Sequence, residues 1–126
     1  MDKDRFDKGV AQRSAVLGAD YVQRTLDNAD EFNRPFQEMM TEFCWGFGWG
    51  DETLPPKTRS MLNLTMIAAL NRMHEWEIHL RGAINNGCSR DELRAVLHQI
   101  AIYCGIPAGV ECFRIANRVF KELDGD

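Results

Sequence analysis

Apolar residues recur at helical spacing along most of the chain, and no segment alternates apolar and polar positions as a β-strand would. The clearest stretch runs from Thr58 to Asn86. Its first half has few polar interruptions, which predicts a helix buried on most sides rather than along one stripe; its apolar residues are Met61, Leu62, Leu64, Met66, Ile67, Ala68, Ala69 and Leu70. This run is too short to cross a bilayer. The pattern therefore predicts an all-α protein organised around this central helix.

The part of the chain before this stretch predicts three further helices. The first spans about Asp4 to Val16 and is followed by Gly18, a residue type that commonly ends helices. A short helix begins near Asp20, and a longer one follows Asp30. The longer helix has one apolar face, which we expect to lie in the core: Phe32, Phe36, Met39, Met40 and Phe43.

The segment from Cys44 to Leu54, CWGFGWGDETL, contains three glycines and two tryptophans. Because glycine is unfavourable inside helices, this composition predicts an ordered loop rather than a continuing helix. Tryptophans in a loop must be buried against something. Trp45 and Trp49 either fill the core or a subunit contact, or form a wall of a substrate pocket.

Clear boundary signals mark the second half of the chain. The sequence Asn-Asn-Gly at 85–87 predicts the end of the second helix of the central stretch. Ser89 and Glu92 stand three residues apart and form a capping box that opens the next helix. This boundary is the most sharply defined in the sequence.

The last helix is predicted from about Ala108 to Leu123, after a break at Gly105 and Pro107. Its inward residues are expected to be Phe113, Ala116 and Phe120, flanked by Cys112, Ile115 and Val119. The prediction as a whole is a compact all-α bundle of about six helices, in a single domain over residues 1–126.

Composition excludes several classes of function. The chain has 126 residues and a net charge of -4, with no basic block or stripe to neutralise a phosphate backbone, so we expect no nucleic-acid partner. The first residues are charged where a signal peptide would be apolar, so we expect a cytoplasmic protein without a membrane partner. The four cysteines lack the spacing of metal or redox motifs and are expected to be mostly buried thiols: Cys44, Cys88, Cys104 and Cys112.

One pair of side chains suggests chemistry. Glu75 and His79 stand four residues apart and therefore share a helix face, while Trp76, Leu80 and Ala83 lie on a neighbouring face. A carboxylate and an imidazole are thus predicted at the edge of an apolar core. Such an arrangement is suited to proton transfer.

Several blocks of the sequence, in order, resemble the carboxymuconolactone decarboxylase family, within the wider alkylhydroperoxidase D-like fold. In the second half these blocks are Glu75-x-Glu77-x-His79-Leu80-Arg81, Asn85-Asn86-Gly87, Ser89-Arg90-Asp91-Glu92-Leu93 and Tyr103-Cys104-Gly105-Ile106-Pro107-Ala108. In the first half they are Val16-Leu17-Gly18, Phe32-Asn33 with Phe36-Gln37, and Trp45-Gly46 followed by Trp49. The resemblance therefore spans nearly the whole chain.

This resemblance implies an all-α subunit that forms a homo-oligomer, typically a hexamer, with active sites near subunit contacts. It also implies decarboxylation of a carboxylated lactone without metal or organic cofactor. The expected reaction converts γ-carboxymuconolactone to β-ketoadipate enol-lactone in the catabolism of aromatic compounds through protocatechuate. The small carboxylated substrate is then the expected ligand.

Such a reaction needs cations for the substrate carboxylates and a donor for the developing oxyanion or the proton. We expect His79 to be the acid or oxyanion donor and Glu75 to fix its tautomer. Arg59 and Arg81 are expected to bind substrate carboxylates, since arginine pairs with them through two hydrogen bonds. Trp49 and Tyr103 are the further candidates for substrate binding. A structural role is the alternative for each, such as a salt bridge from Arg81 to Glu77 or simple packing of Tyr103.

Two departures from related patterns leave other functions open. Peroxidases of the wider fold use a CxxC pair before a histidine and a glutamate upstream, but Arg72, Glu75 and Ser60 stand at those positions here, which argues against that chemistry. Met73, His74 and Trp76 are bulkier than the residues expected in the typical decarboxylase segment, so the identity of the substrate stays open. The alternatives are a paralogue acting on another lactone or oxo-acid, a non-catalytic oligomer that binds a small ligand, and a peroxidase using a lone thiol such as Cys104.

Overall fold

The computed structural model describes residues 1–125, whose regular secondary structure is entirely helical, with no β-strand. Those residues form seven α-helices and one π-helix. In chain order the elements are α1 (Lys3–Leu17), α2 (Ala19–Asp27), α3 (Arg34–Met39), the π-helix (Met40–Gly48), α4 (Pro56–Ala69), α5 (Met73–Asn85), α6 (Arg90–Cys104) and α7 (Ile106–Asp124). The predicted all-α class is confirmed. Within the described chain, no helix combines the length and the apolarity that a membrane crossing requires.

Internal contacts divide the chain into two compact units, Met1–Pro56 and a second unit that begins at Lys57. The first contains α1 to α3 and the π-helix, and the second contains nearly all of α4 together with α5 to α7. Each unit has its own group of buried apolar side chains. The single domain expected from the sequence stays a prediction.

In the first unit, α1 packs very closely against the π-helix. A Cβ atom added to Gly9 would lie 1.9 Å from the carbonyl oxygen of Thr41, and one added to Gly46 would lie 2.3 Å from the carbonyl oxygen of Arg5. Trp45 and Trp49 are buried and stacked, with ring centroids 4.9 Å apart. The predicted loop is therefore wrong as far as Gly48, where the glycines permit close helix packing instead of breaking the helix, but residues 49–54 are non-helical as predicted.

Most of the apolar face of the third predicted helix is exposed in the chain, so its assignment to the core is wrong except at Met40, which is partly buried and packs against the cluster of Val16, Trp45 and Trp49. Phe32 is 94% exposed, and Phe36, Met39 and Phe43 are at least half exposed. Hydrophobic periodicity correctly marked these residues as one face. It did not reveal that α1 occupies the opposite side, where Thr41 and Gly46 are buried.

In the second unit, α4 buries one stripe of side chains. Ser60, Leu64 and Ala68 are buried at successive turns, whereas Leu62 and Met66 are about half exposed. The predicted burial on most sides is therefore wrong within the chain. On α5 the prediction is confirmed, since its buried face contains Trp76, Leu80 and Ala83, each completely inaccessible to solvent.

Helices α6 and α7 complete the core of the second unit. The predicted capping box is present: the Ser89 hydroxyl accepts from the Glu92 backbone N–H, and the Glu92 carboxylate accepts from the Ser89 N–H. On α7 the fully buried residues are Cys112, Ile115, Ala116 and Val119, while Phe113 and Phe120 are only partly buried. The helix is thus rotated from the predicted orientation.

The prediction that the cysteines are mostly buried holds for half of them. Cys88 and Cys112 are buried, and burial raises the pKa of the Cys112 thiol to about 12. Cys44 and Cys104 are exposed. A mainly structural role is therefore supported for the buried pair.

Gly9→Ala tests the close packing of α1 on the π-helix. The added methyl group collides with the Thr41 carbonyl, so we expect the free energy of unfolding to fall by about 1–3 kcal/mol. Urea denaturation monitored by tryptophan fluorescence measures this loss. Gly48→Ala is the matched control, because the nearest atom to its new methyl group lies at an ordinary 3.7 Å. Equal stability of the two variants would contradict this packing.

Candidate active site

Two hydrogen bonds fix α4 beside α5 and define the framework of the candidate site. The buried indole Nε1–H of Trp76 donates to the Leu64 carbonyl oxygen at 3.0 Å. The Asn86 side-chain amide donates to the Ser60 hydroxyl at 2.9 Å. Because one bond joins the first turn of α5 to the middle of α4 and the other joins the end of α5 to the start of α4, the helices run antiparallel.

His79 lies on α5 between these two bonds, one turn after Trp76. Its ring is partly buried, and its Nδ1 atom is shielded from solvent. Desolvation lowers the pKa of His79, and the negative charge of Glu75 only partly opposes this effect. The structure thus favours a neutral imidazole near neutral pH, at the edge of the apolar core.

Glu75 is exposed one turn before His79, on the same helix face. Its negative charge acts to raise the pKa of His79, as expected for two residues four positions apart on one helix. The structure therefore brings together the imidazole and carboxylate that the sequence analysis selected. Their catalytic roles stay predictions.

Arg59 lies in the first turn of α4, directly before the buried Ser60. It is partly buried. Since Ser60 is bonded to Asn86, Arg59 lies near the carboxyl-terminal end of α5, about 10 Å along the helix from His79.

Arg81 belongs to a network of charged side chains that joins α5 to α7. Its guanidinium lies 3.0 Å from the Glu77 carboxylate and 2.6 Å from the Glu122 carboxylate. Arg118 forms ion pairs with the same two carboxylates. The structure thus places Arg81 in the salt bridge that the sequence analysis gave as the alternative to substrate binding.

Glu77 is the centre of this network. Hydrogen bonds from Arg118 and Arg81 lower the pKa of Glu77 to about 2, against the opposing effect of partial burial. Such a carboxylate stays ionised throughout the physiological range. Its role in the chain is therefore to hold α5 against α7 rather than to transfer protons.

Trp49 and Tyr103 are the other two candidate substrate-binding residues. Trp49 belongs to the first unit, where it stacks on Trp45 and is 6% exposed. Tyr103 lies in the last turn of α6 and is 79% exposed, so it does not pack within the chain. No group of three or more potential metal ligands occurs among the residues that the structure describes.

The sequence matches the model of the carboxymuconolactone decarboxylase family over residues 34–118. The chain belongs to the carboxymuconolactone decarboxylase family. It is similar to 4-carboxymuconolactone decarboxylase from Acinetobacter baylyi, with 38% identity over 97% of this chain and 91% of the relative. It is also similar to nitrosuccinic acid decarboxylase from Metarhizium robertsii, with 39% identity over 94% of this chain and 82% of the relative.

A third relative agrees with this assignment. A 4-carboxymuconolactone decarboxylase sequence from Pseudomonas putida is 44% identical over 36% of this chain and 94% of that sequence. The predicted family is therefore confirmed, and the chain is a decarboxylase of the carboxymuconolactone decarboxylase family.

The hydrogen bond between Ser60 and Asn86 was not predicted from the sequence. Asn86 was interpreted only as part of a helix end, and Ser60 only as the position of a peroxidase glutamate. Ser60 is a lone polar residue on the otherwise apolar buried stripe of α4, which was the available signal. Its partner could not be read from the sequence, because the two residues are 26 positions apart.

Glu77→Gln tests the α5–α7 network in this decarboxylase. The folded pKa of Glu77 lies below its usual value of 4.5, so its stabilising contribution is present above about pH 4.5 and is lost as the pH falls towards about 2. We expect the variant to lose about 1 kcal/mol of unfolding free energy at neutral pH. The difference from the natural protein should shrink in acid.

Urea denaturation at a series of pH values measures this difference. Glu52→Gln, at an exposed position, is the control and should leave stability nearly unchanged. A Glu77→Gln effect that stays constant from neutral pH down to about 3 would contradict the assigned ionisation of Glu77.

Proposed function

We propose that this chain catalyses cofactor-free decarboxylation of a small dicarboxylic acid, with 4-carboxymuconolactone as the first candidate substrate. The observation that carries this proposal is the position of His79, desolvated on α5 beside the buried Trp76, in a chain of this family. The proposed product is β-ketoadipate enol-lactone. This places the reaction in the catabolism of aromatic compounds.

The substrates named in the two near-full-length relatives share a chemical feature. Each is a dicarboxylic acid in which the electrons left by carbon dioxide can delocalise onto an oxygen of a neighbouring acceptor group. In 4-carboxymuconolactone this group is the lactone carbonyl, reached through the ring alkene; in nitrosuccinic acid it is the nitro group. Protonation on carbon then completes the reaction. The enzyme therefore needs a hydrogen-bond donor where the negative charge develops.

His79 is the proposed donor. A neutral imidazole can stabilise an oxyanion by donating its N–H in a hydrogen bond. The lowered pKa of His79 favours this neutral form. The adjacent core restricts water on one side, so a hydrogen bond there is stronger than in bulk solvent. Because a neutral imidazole has a single N–H, which is directed here to the oxyanion, Glu75 on the same face is proposed to act on the ring through its negative charge rather than through a hydrogen bond.

Arg59 is the proposed partner of the substrate carboxylate that remains in the product. It is partly buried at the start of α4, and the hydrogen bond between Ser60 and Asn86 holds this start against the end of α5. Arg81 contributes indirectly, since its ion pairs with Glu77 and Glu122 fix α5 against α7. For Trp49 and Tyr103, contact with substrate stays a prediction.

Nitrosuccinic acid is the second candidate substrate. The relative that bears this name is as similar to the chain as the first, at 39% compared with 38% identity. The two candidates differ in the shape of their acceptor group. A direct comparison of turnover is therefore required to choose between them.

We also propose that the chain forms a homo-oligomer, with a hexamer as the expected form. Large apolar side chains that are exposed in the chain support association: Phe32, Phe36, Phe47, Leu70, Ile102, Ile106 and Val110. So many exposed apolar residues are unusual for a protein that acts as a monomer.

His79→Ala tests the proposed chemistry. With 4-carboxymuconolactone and with nitrosuccinic acid in parallel, we expect carbon dioxide release from one of them, and a loss of kcat of about a hundredfold to a thousandfold in the variant. His74→Ala is the matched control, because His74 is exposed on the same helix. Circular dichroism and gel filtration confirm that each variant is folded.

Two outcomes of this comparison are decisive. Unchanged kcat in a folded His79→Ala protein would refute the role of His79. Absence of turnover with both acids would refute the two substrate assignments.

A further inference from the structure

A cavity of about 240 Å³ lies between α6 and α7 in the second unit. The two helices run antiparallel, because Arg90 at the start of α6 forms an ion pair with Asp124 at the end of α7. Near the other end, a Cβ atom added to Gly109 of α7 would lie only 2.6 Å from the Cβ atom of Ala101 of α6. Contacts at both ends therefore hold the helix pair, and the cavity lies between them.

The spacing of residues on α7 explains the empty space. Phe113 and Phe120 are two turns apart on one helix face, and the smaller Ala116 and Asn117 lie between them. All four line the cavity, so two partly buried phenyl rings form its walls and a short side chain leaves room between them. The α6 side is apolar as well and consists of two buried leucines, Leu93 and Leu97.

Two arginines, one turn apart on α6, line the exposed rim of this cavity. The Arg90 guanidinium lies over the Phe120 ring, 4.5 Å from its centroid, and donates a hydrogen bond to Asp124 at 2.6 Å. Arg94 donates a hydrogen bond to Asp91 at 3.0 Å. Among the described residues that line the cavity, none is acidic. The cavity thus combines aromatic walls with a positively charged rim.

Both arginines retain donors for a ligand. A guanidinium has five N–H donors, so one hydrogen bond to a carboxylate leaves others available. The Asp91 side chain is 89% exposed, so its ion pair with Arg94 is weakly stabilising and a ligand can replace it at little cost. Arg90 is already held by Phe120 and Asp124, so little side-chain entropy is lost when it binds.

The volume of the cavity limits the size of the ligand. An apolar cavity of about 150 Å³ is sufficient to bind benzene. Pockets for drug-sized molecules begin at about 300 Å³. The cavity between α6 and α7 falls between these values, so it suits a compact ligand with a single ring.

We propose that this cavity is a binding site for a small aromatic carboxylate. The carboxylate pairs with Arg94 and with a free edge of Arg90, and the ring lies between Phe113 and Phe120. The aromatic walls alone would suit any apolar ring, and the arginines alone would suit any anion. Their position around one cavity selects a ligand with both properties.

This site differs from the two surfaces already assigned. The proposed catalytic residue His79 and its partner Arg59 lie on α5 and α4, and neither lines the cavity. The exposed apolar residues that support self-association do not line it either.

Fluorine NMR of para-fluorobenzoate tests the proposal in the full-length protein. We expect saturable binding of this probe, and its displacement by benzoate. Benzamide has the same shape without the charge, and acetate has the charge without the ring. Each should displace the probe about tenfold or more weakly than benzoate, because each lacks one of the two interactions.

Arg94→Gln is the decisive variant. Its position is exposed, so the variant should fold, as circular dichroism can verify, and its Kd for the probe should rise about tenfold. Arg114→Gln is the matched control: the side chains of Arg94 and Arg114 are 59% and 61% exposed, and each pairs with an acid three residues earlier. Since Arg114 does not line the cavity, its replacement should leave the Kd unchanged.

Arg59→Gln distinguishes this cavity from the candidate active site and should also retain binding of the probe. Loss of binding in Arg59→Gln, with retention in Arg94→Gln, would place the carboxylate in the candidate active site and overturn the proposal. Absence of saturable binding, or equal displacement by benzoate, benzamide and acetate, would overturn it as well. None of these measurements needs turnover, so the site can be established or refuted even if both proposed substrates fail.

Discussion

Trp76 is completely buried, and its indole N–H donates to the Leu64 carbonyl at 3.0 Å. This side chain fills the largest fully buried volume of the second unit and also satisfies its one polar atom. The hydrogen bond fixes the rotation of α5 against α4, so the residue one turn later is placed at the edge of the core. The environment of His79 depends on this arrangement, because a rotation of α5 would expose the imidazole to water.

Other contacts of α5, with α4 and with α7, hold this helix in the same position. Asn86 bonds to Ser60 at the end of the helix, and the ion pairs of Glu77 and Arg81 join the opposite side to α7. Decarboxylation without a cofactor depends on a fixed donor rather than on a reactive group. A rigid helix with partners on several sides is suited to that requirement.

Much of the fold, and part of the site, could be predicted from local sequence signals. The capping box of Ser89 and Glu92 and the buried face of α5 follow from spacings of three or four residues, which sequence shows directly. The π-helix could not be predicted in this way, because glycine is compatible both with a loop and with the close approach of another helix. Periodicity identified the apolar face around Phe36, but it does not report what covers a face.

In the site, Glu75 and His79 were selected by their spacing and by the family resemblance, and the structure places both on one face of α5. The position of Arg81 depends on Glu122 and Arg118, about forty residues away, so only its pairing with Glu77 was visible locally. Arg13 on α1 is only 5% exposed, and no local pattern predicted this burial, because arginine on a peripheral helix is ordinarily exposed.

The central claim is that the core around Trp76 keeps His79 neutral. The most direct test is an NMR pH titration of the histidine ring signals, with His79→Gln used to assign His79. We predict that the pKa of His79 is lower in the folded protein than in the protein unfolded by urea, because burial disfavours the imidazolium. An equal or higher pKa in the folded protein would contradict the claim.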